Sequence, residues 1–507
     1  MDIELLSEKY GDRLDGVLHC YDRITLHGSL YPFCYAKGMT NYLYSHQIRI
    51  FDYAQFAEPL RDEIRANAEA VAAAAGLSIE FIRQRNFRKE DRLASIIKKR
   101  GPQPGLVHIF SAMEPCAAYK PWHDKQTHQT FLRYSDSKCL HYYFYFIEEA
   151  LGLCYLCVPT WCPFRLQFYT NGHAWLATQL TACGIAYELR DNAFVHIADY
   201  ARANELAAQL DIAQLHARLD AIAQRYGPFL QRLQLSVQWS LWQVEYATDL
   251  VFKRSADLQA FYPLLLETLI HTVKPDDIAT FLGHKLHGNY QGEIGNRLNK
   301  RDLGTRIKHT MQPVSIKQYD KFGCILRIEV TVNDVSFFKQ HRDVQHRDGS
   351  HELKDAPMKK TIYSLPALRE LLLAANQRYL KFISAIETPA VGVQRLNQLS
   401  QTQTDNQHRY KGFNLFAEAD AALCRLLLRG EFVISGLTNR SLRALLPDQN
   451  TGQVSRLLKR LRVHGVLKKV GHCYKYYLTE FGRQVTTMAL KLREMVVIPM
   501  FARPAVA

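Results

Sequence analysis

The stretch from Gly304 to Asp334 reads GTRIKHTMQPVSIKQYDKFGCILRIEVTVND, and it gathers residue types that do chemistry. Two strands are expected, Ser315–Tyr319 and Cys324–Thr331, joined by the turn Asp320-Lys321-Phe322-Gly323. Side chains alternate along a strand, so Arg327, Glu329 and Thr331 share one face while Ile328 and Val330 take the other. A charged pair on a sheet face has two readings. It is a structural ion pair, or it is a phosphate clamp beside a carboxylate that holds metal.

The order of strand, Tyr319-Asp320-Lys321, short gap and Leu326-Arg327-Ile328-Glu329 resembles plasmid and phage rolling-circle replication initiators and related relaxases. Phe281-Leu282-Gly283-His284-Lys285 is similar to the strand-and-glycine stretch that precedes it in those proteins. The resemblance spans some 60 residues. It implies a tyrosine hydroxyl attacking a DNA phosphodiester, with divalent metal (Mg²⁺ or Mn²⁺) polarising the phosphate. On that reading Tyr319 is the nucleophile, and Lys317, Lys321 and Arg327 hold phosphates. Glu329 is a metal ligand, with Asp334, Asp249 or Glu245 beside it. Glu245 and Asp249 stand four apart in WQVEYATD and share a face if that segment is helical. A tyrosine with a reference pKa of about 10 is a poor nucleophile at neutral pH, so metal or a neighbouring cation has to favour the phenolate. The His-hydrophobe-His pair by which the better-known rolling-circle nucleases hold metal is absent, and Val107-His108-Ile109-Phe110 does not supply one.

Two other groups have ligand chemistry. His341–His351 (HRDVQHRDGSH) carries three histidines with Asp343 and Asp348, and reads as a solvated polar loop before it reads as a metal site. Cys154 and Cys157 form the one C-x-x-C pair, with Cys162 nearby, inside the apolar LGLCYLCVPTWC; buried free thiols are expected there.

The second functional signal is C-terminal. Gly452–His464 is a basic amphipathic helix, with Leu457, Leu458, Leu461 and Val463 apolar and Arg456, Lys459, Arg460 and Arg462 charged. Asn450 or Thr451 caps it, Ser435 or Thr438 caps the helix before, and Thr479 opens the one after. Val466–Val470 and Tyr474–Leu478 make a hairpin about Gly471-His472. From Phe413 to about Arg493 this resembles winged helix-turn-helix DNA-binding domains of the MarR-like kind. The resemblance places Gln453, Arg456, Lys459 and Arg460 at a DNA groove, with Lys468, Lys469, His472 and Lys475 lining a wing.

Elements to position these residues follow from pattern. The fold class expected is α+β and multidomain, an antiparallel-sheet body followed by the C-terminal winged helix. A mixed, largely helical region covers 1–104, with a basic helical stretch over Ile79–Arg100. An α+β sheet domain covers 105–215, and a second α+β region, 216–395, carries the hairpin of Tyr319. Residues 396–412 are polar and weakly patterned and read as a linker before the 413–500 domain.

Composition narrows the partner. The formal charge is +15, from 64 Lys and Arg against 49 Asp and Glu, which favours a polyanion, nucleic acid before membrane. DNA is preferred to RNA; the RNA alternative rests on base stacking by Tyr142–Phe146, Trp161 and Phe168, which also read as core. A non-enzymatic winged-helix transcriptional regulator is the other alternative. The acidic N-terminus is not a signal peptide and no run suits a membrane span, so a cytoplasmic protein, with oligomer state open, is expected.

Overall fold

The computed structural model describes residues 4–84, 86–286, 290–301, 304–346, 348–386, 390–471 and 474–502. The chain divides into two compact units, 1–387 and 388–507.

The first unit is built on one eleven-stranded sheet. Its strands are β1 (Leu14–Leu30), β2 (Ile79–Phe81), β3 (Gly105–His123), β4 (Thr130–Glu148), β5 (Gly152–Pro159) and β6 (Leu166–Asn171). After a separate small hairpin, β7 (Tyr187–Arg190) and β8 (Ala193–Ile197), come β9 (Val237–Phe252), β10 (Ile294–Arg301), β11 (Gly304–Met311), β12 (Val314–Lys321) and β13 (Ile325–Val332). The spatial order is β10-β11-β12-β13-β9-β1-β6-β5-β4-β3-β2. All pairs are antiparallel except β2 with β3. Strands from the stretches 1–104, 105–215 and 216–395 therefore share one sheet, because β1 pairs with both β6 and β9. The expected boundaries at 104 and 215 both lie within the first unit. Ile79–Arg100 is a short strand followed by the helix Lys89–Arg100, not one helical stretch.

One face of the sheet packs on helices. Tyr53–Ala74, Ile212–Tyr226 and Leu365–Ile386 bury Leu60, Ile64, Leu219, Leu368, Leu372 and Ile383 against Phe144, Leu156, Phe168, Tyr246, Ile328 and Val330. Tyr142, Phe144, Phe146 and Phe168 are core residues, which removes them as a stacking platform for RNA bases. Cys154, Cys157 and Cys162 are buried free thiols. Every residue of β13 is buried, so its second face also meets protein. The helix Gly172–Ala182 and the β7–β8 hairpin lie against parts of that second face, through Leu18, Cys20 and Leu176 and through Ala193, Val251 and Ile325.

The turn between β12 and β13 has Phe322 and Gly323 at φ of 55° and 72°, the paired left-handed conformation of a tight hairpin. Phe281 ends a helix, Pro275–Phe281, rather than forming a strand. The polar stretch after residue 338 is a hairpin, β14 (Lys339–Gln345) with β15 (His351–Pro357), not a loop.

The second unit begins with the helix Ala390–Ser400 and a hairpin, β16 (Gln403–Asp405) and β17 (His408–Tyr410). The stretch expected as linker is thus structured. Helices Glu418–Leu427, Gly430–Ser435, Asn439–Arg443 and Thr451–Val463 follow, then β18 (Leu467–Lys469), β19 (Tyr476–Leu478) and the helix Glu480–Lys491. Leu437 bridges to Tyr476 beside the last hairpin. Thr438, Asn450 and Thr479 cap their helices by accepting from the amides of Ser441, Gln453 and Gly482. Phe432, Leu437, Leu442, Val454, Leu458, Leu461 and Val466 form the core of this unit.

Candidate functional site

The alternation read from sequence puts charged residues of three neighbouring strands in rows. Asp249 of β9 lies opposite Arg327 of β13, which lies opposite Tyr319 of β12. One row along, Glu329 faces Lys317, and the next row pairs Thr331 with Glu245. Glu245 and Asp249 do share a face, but as residues of a strand, not of a helix.

β1 adds a residue that pattern alone did not reveal. Its register against β9 shifts between Tyr21 and Arg23, so Asp22 is an inserted residue. A bulge of this kind re-aims a side chain. Asp22 is turned onto the charged face, where its carboxylate accepts from Asn171 and Asn192 at 2.8–3.0 Å.

Two connected networks result. In the first, Arg327 is fully buried and grips Asp249 with Nε and Nη2 at 2.7 and 2.6 Å. Its Nη2 also donates to the Asn192 carbonyl at 2.9 Å, and lies 3.2 Å from His173 Nε2. If Nε2 accepts, the ring proton sits on Nδ1, which lies 3.3 Å from Asp22 Oδ1. Burial raises the cost of charging Asp249, but Arg327 and His173 outweigh it and hold the carboxyl at about 2. Burial likewise opposes charge on Asp22, yet Arg327, His173 and Lys321 hold it further below the usual carboxylate range. Burial disfavours the Arg327 cation; Asp249, Tyr319 and Asp22 more than offset that.

In the second network, Lys317 Nζ donates to Glu245 Oε1 at 3.0 Å and to Glu329 Oε1 at 2.5 Å. Thr331 donates to Glu245 Oε1 at 3.0 Å, and Arg23 lies 3.4 Å from the other oxygen. Tyr319 donates to Glu329 Oε2 at 2.6 Å. Burial and then the Glu329 charge push the Tyr319 phenol well above its ordinary range. Burial works against the Lys317 cation, and Glu329 and Glu245 restore it to above the usual lysine value.

Asp22, Glu245 and Glu329 each offer a carboxylate oxygen within 4.8 Å of the other two. Among the described residues this is the cluster that could hold a metal ion. An all-carboxylate donor set suits a hard cation such as Mg²⁺ or Mn²⁺. Of the residues expected to bind metal, Glu329 belongs to it. Asp249 lies outside it, and Arg327 holds both its oxygens. Asp334 is elsewhere: it caps Ser336 and receives Lys360 at 2.9 Å. Glu245, named beside them, does belong.

Arg327 and Lys321 are not placed as phosphate clamps. Arg327 is 0% exposed and Lys321 3%. Lys321 donates to Asn192 Oδ1, and burial followed by Arg327 lowers its pKa. Tyr319 and Lys317, by contrast, are half-buried and border the carboxylates. In the β14–β15 hairpin, His341, His346 and His351 pair separately with Asp355, Glu352 and Asp343, so they do not converge.

In the second unit Lys468, Lys469 and Lys475 are exposed along the β18–β19 hairpin, and His472 lies outside the described residues. Gln453 and Arg456 are exposed on the first turns of Thr451–Val463. Gln453 also closes a capping box with Asn450. Lys459 and Arg460 are engaged within the unit. Lys459 pairs with Asp405, while Arg460 donates to the Lys411 and Gly412 carbonyls at 2.8 and 2.7 Å and lies 3.8 Å above the Phe413 ring. Both tie residues 403–413 to the helix, a partnership hidden by reading that stretch as linker.

No family model matches the chain, and no curated protein matches it. Among solved structures, a rolling circle replication initiator protein from Geobacillus stearothermophilus is similar at 8% identity and a TM-score of 0.20, over 63% of this chain and 75% of that one. Among the described residues no helix is long and apolar enough to cross a membrane.

Proposed function

We propose that this is a DNA-processing protein in which Tyr319 attacks a phosphodiester beside a metal-binding carboxylate cluster, and in which a winged helix in the second unit binds duplex DNA. The observation that carries the reading is the hydrogen bond from Tyr319 to Glu329, one of the three carboxylates that converge. A tyrosine joined in this way has both a proton acceptor and, at Asp22, Glu245 and Glu329, residues that would hold Mg²⁺ or Mn²⁺. Bound there, such an ion supplies positive charge to a non-bridging phosphate oxygen.

The protein's own part is as follows. Glu329 takes the phenolic proton from Tyr319. The phenolate oxygen attacks phosphorus, forming a Tyr319–phosphate ester, and the bond from phosphorus to a deoxyribose oxygen breaks. That oxygen takes up a proton and leaves as a hydroxyl. Arg327, buried and hydrogen-bonded to Asp249, supplies counter-charge to Asp249 and Asp22 and does not touch the phosphate. The motif resemblance implies the replication-initiator or relaxase class for such chemistry.

The winged-helix assignment is supported by the capped helices before an exposed basic hairpin and by the lysines along it. A second reading is a non-enzymatic DNA-binding regulator. It is favoured by Lys317, whose ammonium bridges Glu245 and Glu329, so that Asp22, Glu245, Asp249 and Glu329 already have ion-pair partners in Arg23, Lys317 and Arg327.

The deciding experiment incubates the full chain with single-stranded and supercoiled DNA and Mg²⁺ or Mn²⁺, followed by denaturing electrophoresis. A covalent protein–DNA adduct that disappears in Tyr319→Phe supports the enzyme. DNA binding with no adduct or cleavage across metals and substrates selects the regulator.

A further inference from the structure

The hairpin β16–β17 stands at the side of the helix Thr451–Val463, in the place where a linker was expected. Its turn is made by Asn406 and Gln407, both left-handed at φ of 47° and 64°. Paired positive values are the geometry of a two-residue hairpin turn between Asp405 and His408. Asp405 pairs with Lys459, Arg460 holds the Lys411 and Gly412 carbonyls, and the Phe413 amide donates to Leu399 at 2.9 Å. Gly412 approaches the Ser400 carbonyl so closely that an added Cβ would lie 1.9 Å from its oxygen. The hairpin is therefore fixed to the helix rather than hinged beside it.

Between hairpin and helix lies a cleft of about 730 Å³, lined by His408, Arg409, Lys411, Gln453, Arg456 and Arg460 among others, with no acidic residue in its lining. Arg409, Lys411 and Arg456 are exposed, and no carboxylate partner is found for them among the described residues. Asp405 and Asp420 face Lys459 and Arg460, and Asp448, next to the lining residue Gln449, is an exposed acid outside the lining. A concave surface that gathers cations and excludes acids attracts a polyanion backbone. Its position beside the exposed first turns of Thr451–Val463 decides which one.

We infer that β16–β17 is a second DNA-contacting hairpin, with Arg409 and Lys411 binding phosphates of the same duplex that the helix Thr451–Val463 and the β18–β19 lysines engage. The inference rests on the reading of this unit as a DNA-binding winged helix. Arg456 then faces both the helix-side groove and the cleft, and Lys459 and Arg460 act indirectly by holding the hairpin in place.

The test is fluorescence anisotropy of the full chain with a fluorescein-labelled mixed-sequence duplex over a salt series. Each phosphate contact contributes roughly 0.9 to the slope of log affinity against log salt. Arg409→Ala/Lys411→Ala is expected to lower that slope by nearly two, as Lys468→Ala/Lys469→Ala should at the wing. Circular dichroism melting of both variants establishes that they fold. Wild-type binding with an unchanged slope in folded Arg409→Ala/Lys411→Ala overturns the second hairpin and leaves the winged-helix reading intact. Absence of salt-dependent duplex binding by the wild type overturns both.

Discussion

Tyr319 and Glu329 belong to adjacent antiparallel strands and lie diagonally on one face, so that the phenol donates to Glu329 Oε2 at 2.6 Å. The bond couples the candidate nucleophile directly to a carboxylate of the candidate metal cluster. It also keeps the phenol protonated, since burial and the Glu329 charge both oppose phenolate.

A pH consequence follows for Tyr319. Without added metal, ultraviolet difference titration of Tyr319→Phe against wild type should reveal no tyrosine ionising near pH 10. Adding Mn²⁺ should bring one such transition down in pH. A metal-independent difference at pH 10 would mean that the Glu329 bond does not govern this phenol.

Metal binding should depend on Asp22, Glu245 and Glu329 and not on Asp334. In isothermal titration, Asp22→Asn or Glu245→Gln is expected to weaken Mn²⁺ binding by at least about tenfold, as loss of a charged ligand does. Asp334→Asn should match wild type, because that carboxylate is held by Ser336 and Lys360. Equal losses in all three variants would deny the cluster its special role.

Lys317 occupies the space between Glu245 and Glu329, and a bound dication has to displace its ammonium. Lys317→Met should therefore melt at a lower temperature without metal, with the buried Glu329 and the partly buried Glu245 left without the cation between them. It should gain more than wild type on adding Mn²⁺. A smaller metal-induced shift than wild type would make Lys317 part of the binding site instead.

Arg327 is expected to be a structural necessity. Arg327→Met leaves Asp249 and Asp22 buried without their main counter-charge, at a cost of about 3–5 kcal/mol by denaturant unfolding. The acid limb has a defined sign. Asp249 is held at about 2 in the folded state, below its unfolded value of about 3.9. Its contribution is complete above pH 3.9, is lost as pH falls from there towards 2, and is on the order of 2 kcal/mol. Asp249→Asn should flatten stability against pH in that window. An unchanged acid limb would contradict the pairing with Arg327.

In the second unit, Arg460→Ala should lower thermal stability by roughly 2 kcal/mol, through lost charged hydrogen bonds and the Phe413 contact. Its own direct share in the salt dependence of DNA binding should be absent, so any change in slope should not exceed that of Arg409→Ala/Lys411→Ala. A folded Arg460→Ala of wild-type stability with a further reduced slope would return Arg460 to the DNA surface.

Much of the local structure is determined by the amino-acid sequence itself. The alternation of Leu326 to Thr331 sets Arg327, Glu329 and Thr331 on one face, because strand geometry admits no other arrangement. Thr438, Asn450 and Thr479 mark helix starts by the hydrogen bonds their side chains make. What sequence could not determine is which strands become neighbours. β1 and β9 are separated by more than two hundred residues, yet their pairing brings Asp22 and Glu245 to Glu329. A bulge, invisible to periodicity, turns Asp22 inward. Burial then reassigns Arg327 and Lys321 from phosphate contacts to internal partners, and the Asp405 hairpin reassigns Lys459 and Arg460. Residue type and spacing limit the chemistry a side chain can do; its desolvation and its partners across the sheet, set by long-range contacts, decide which of those chemistries remains open.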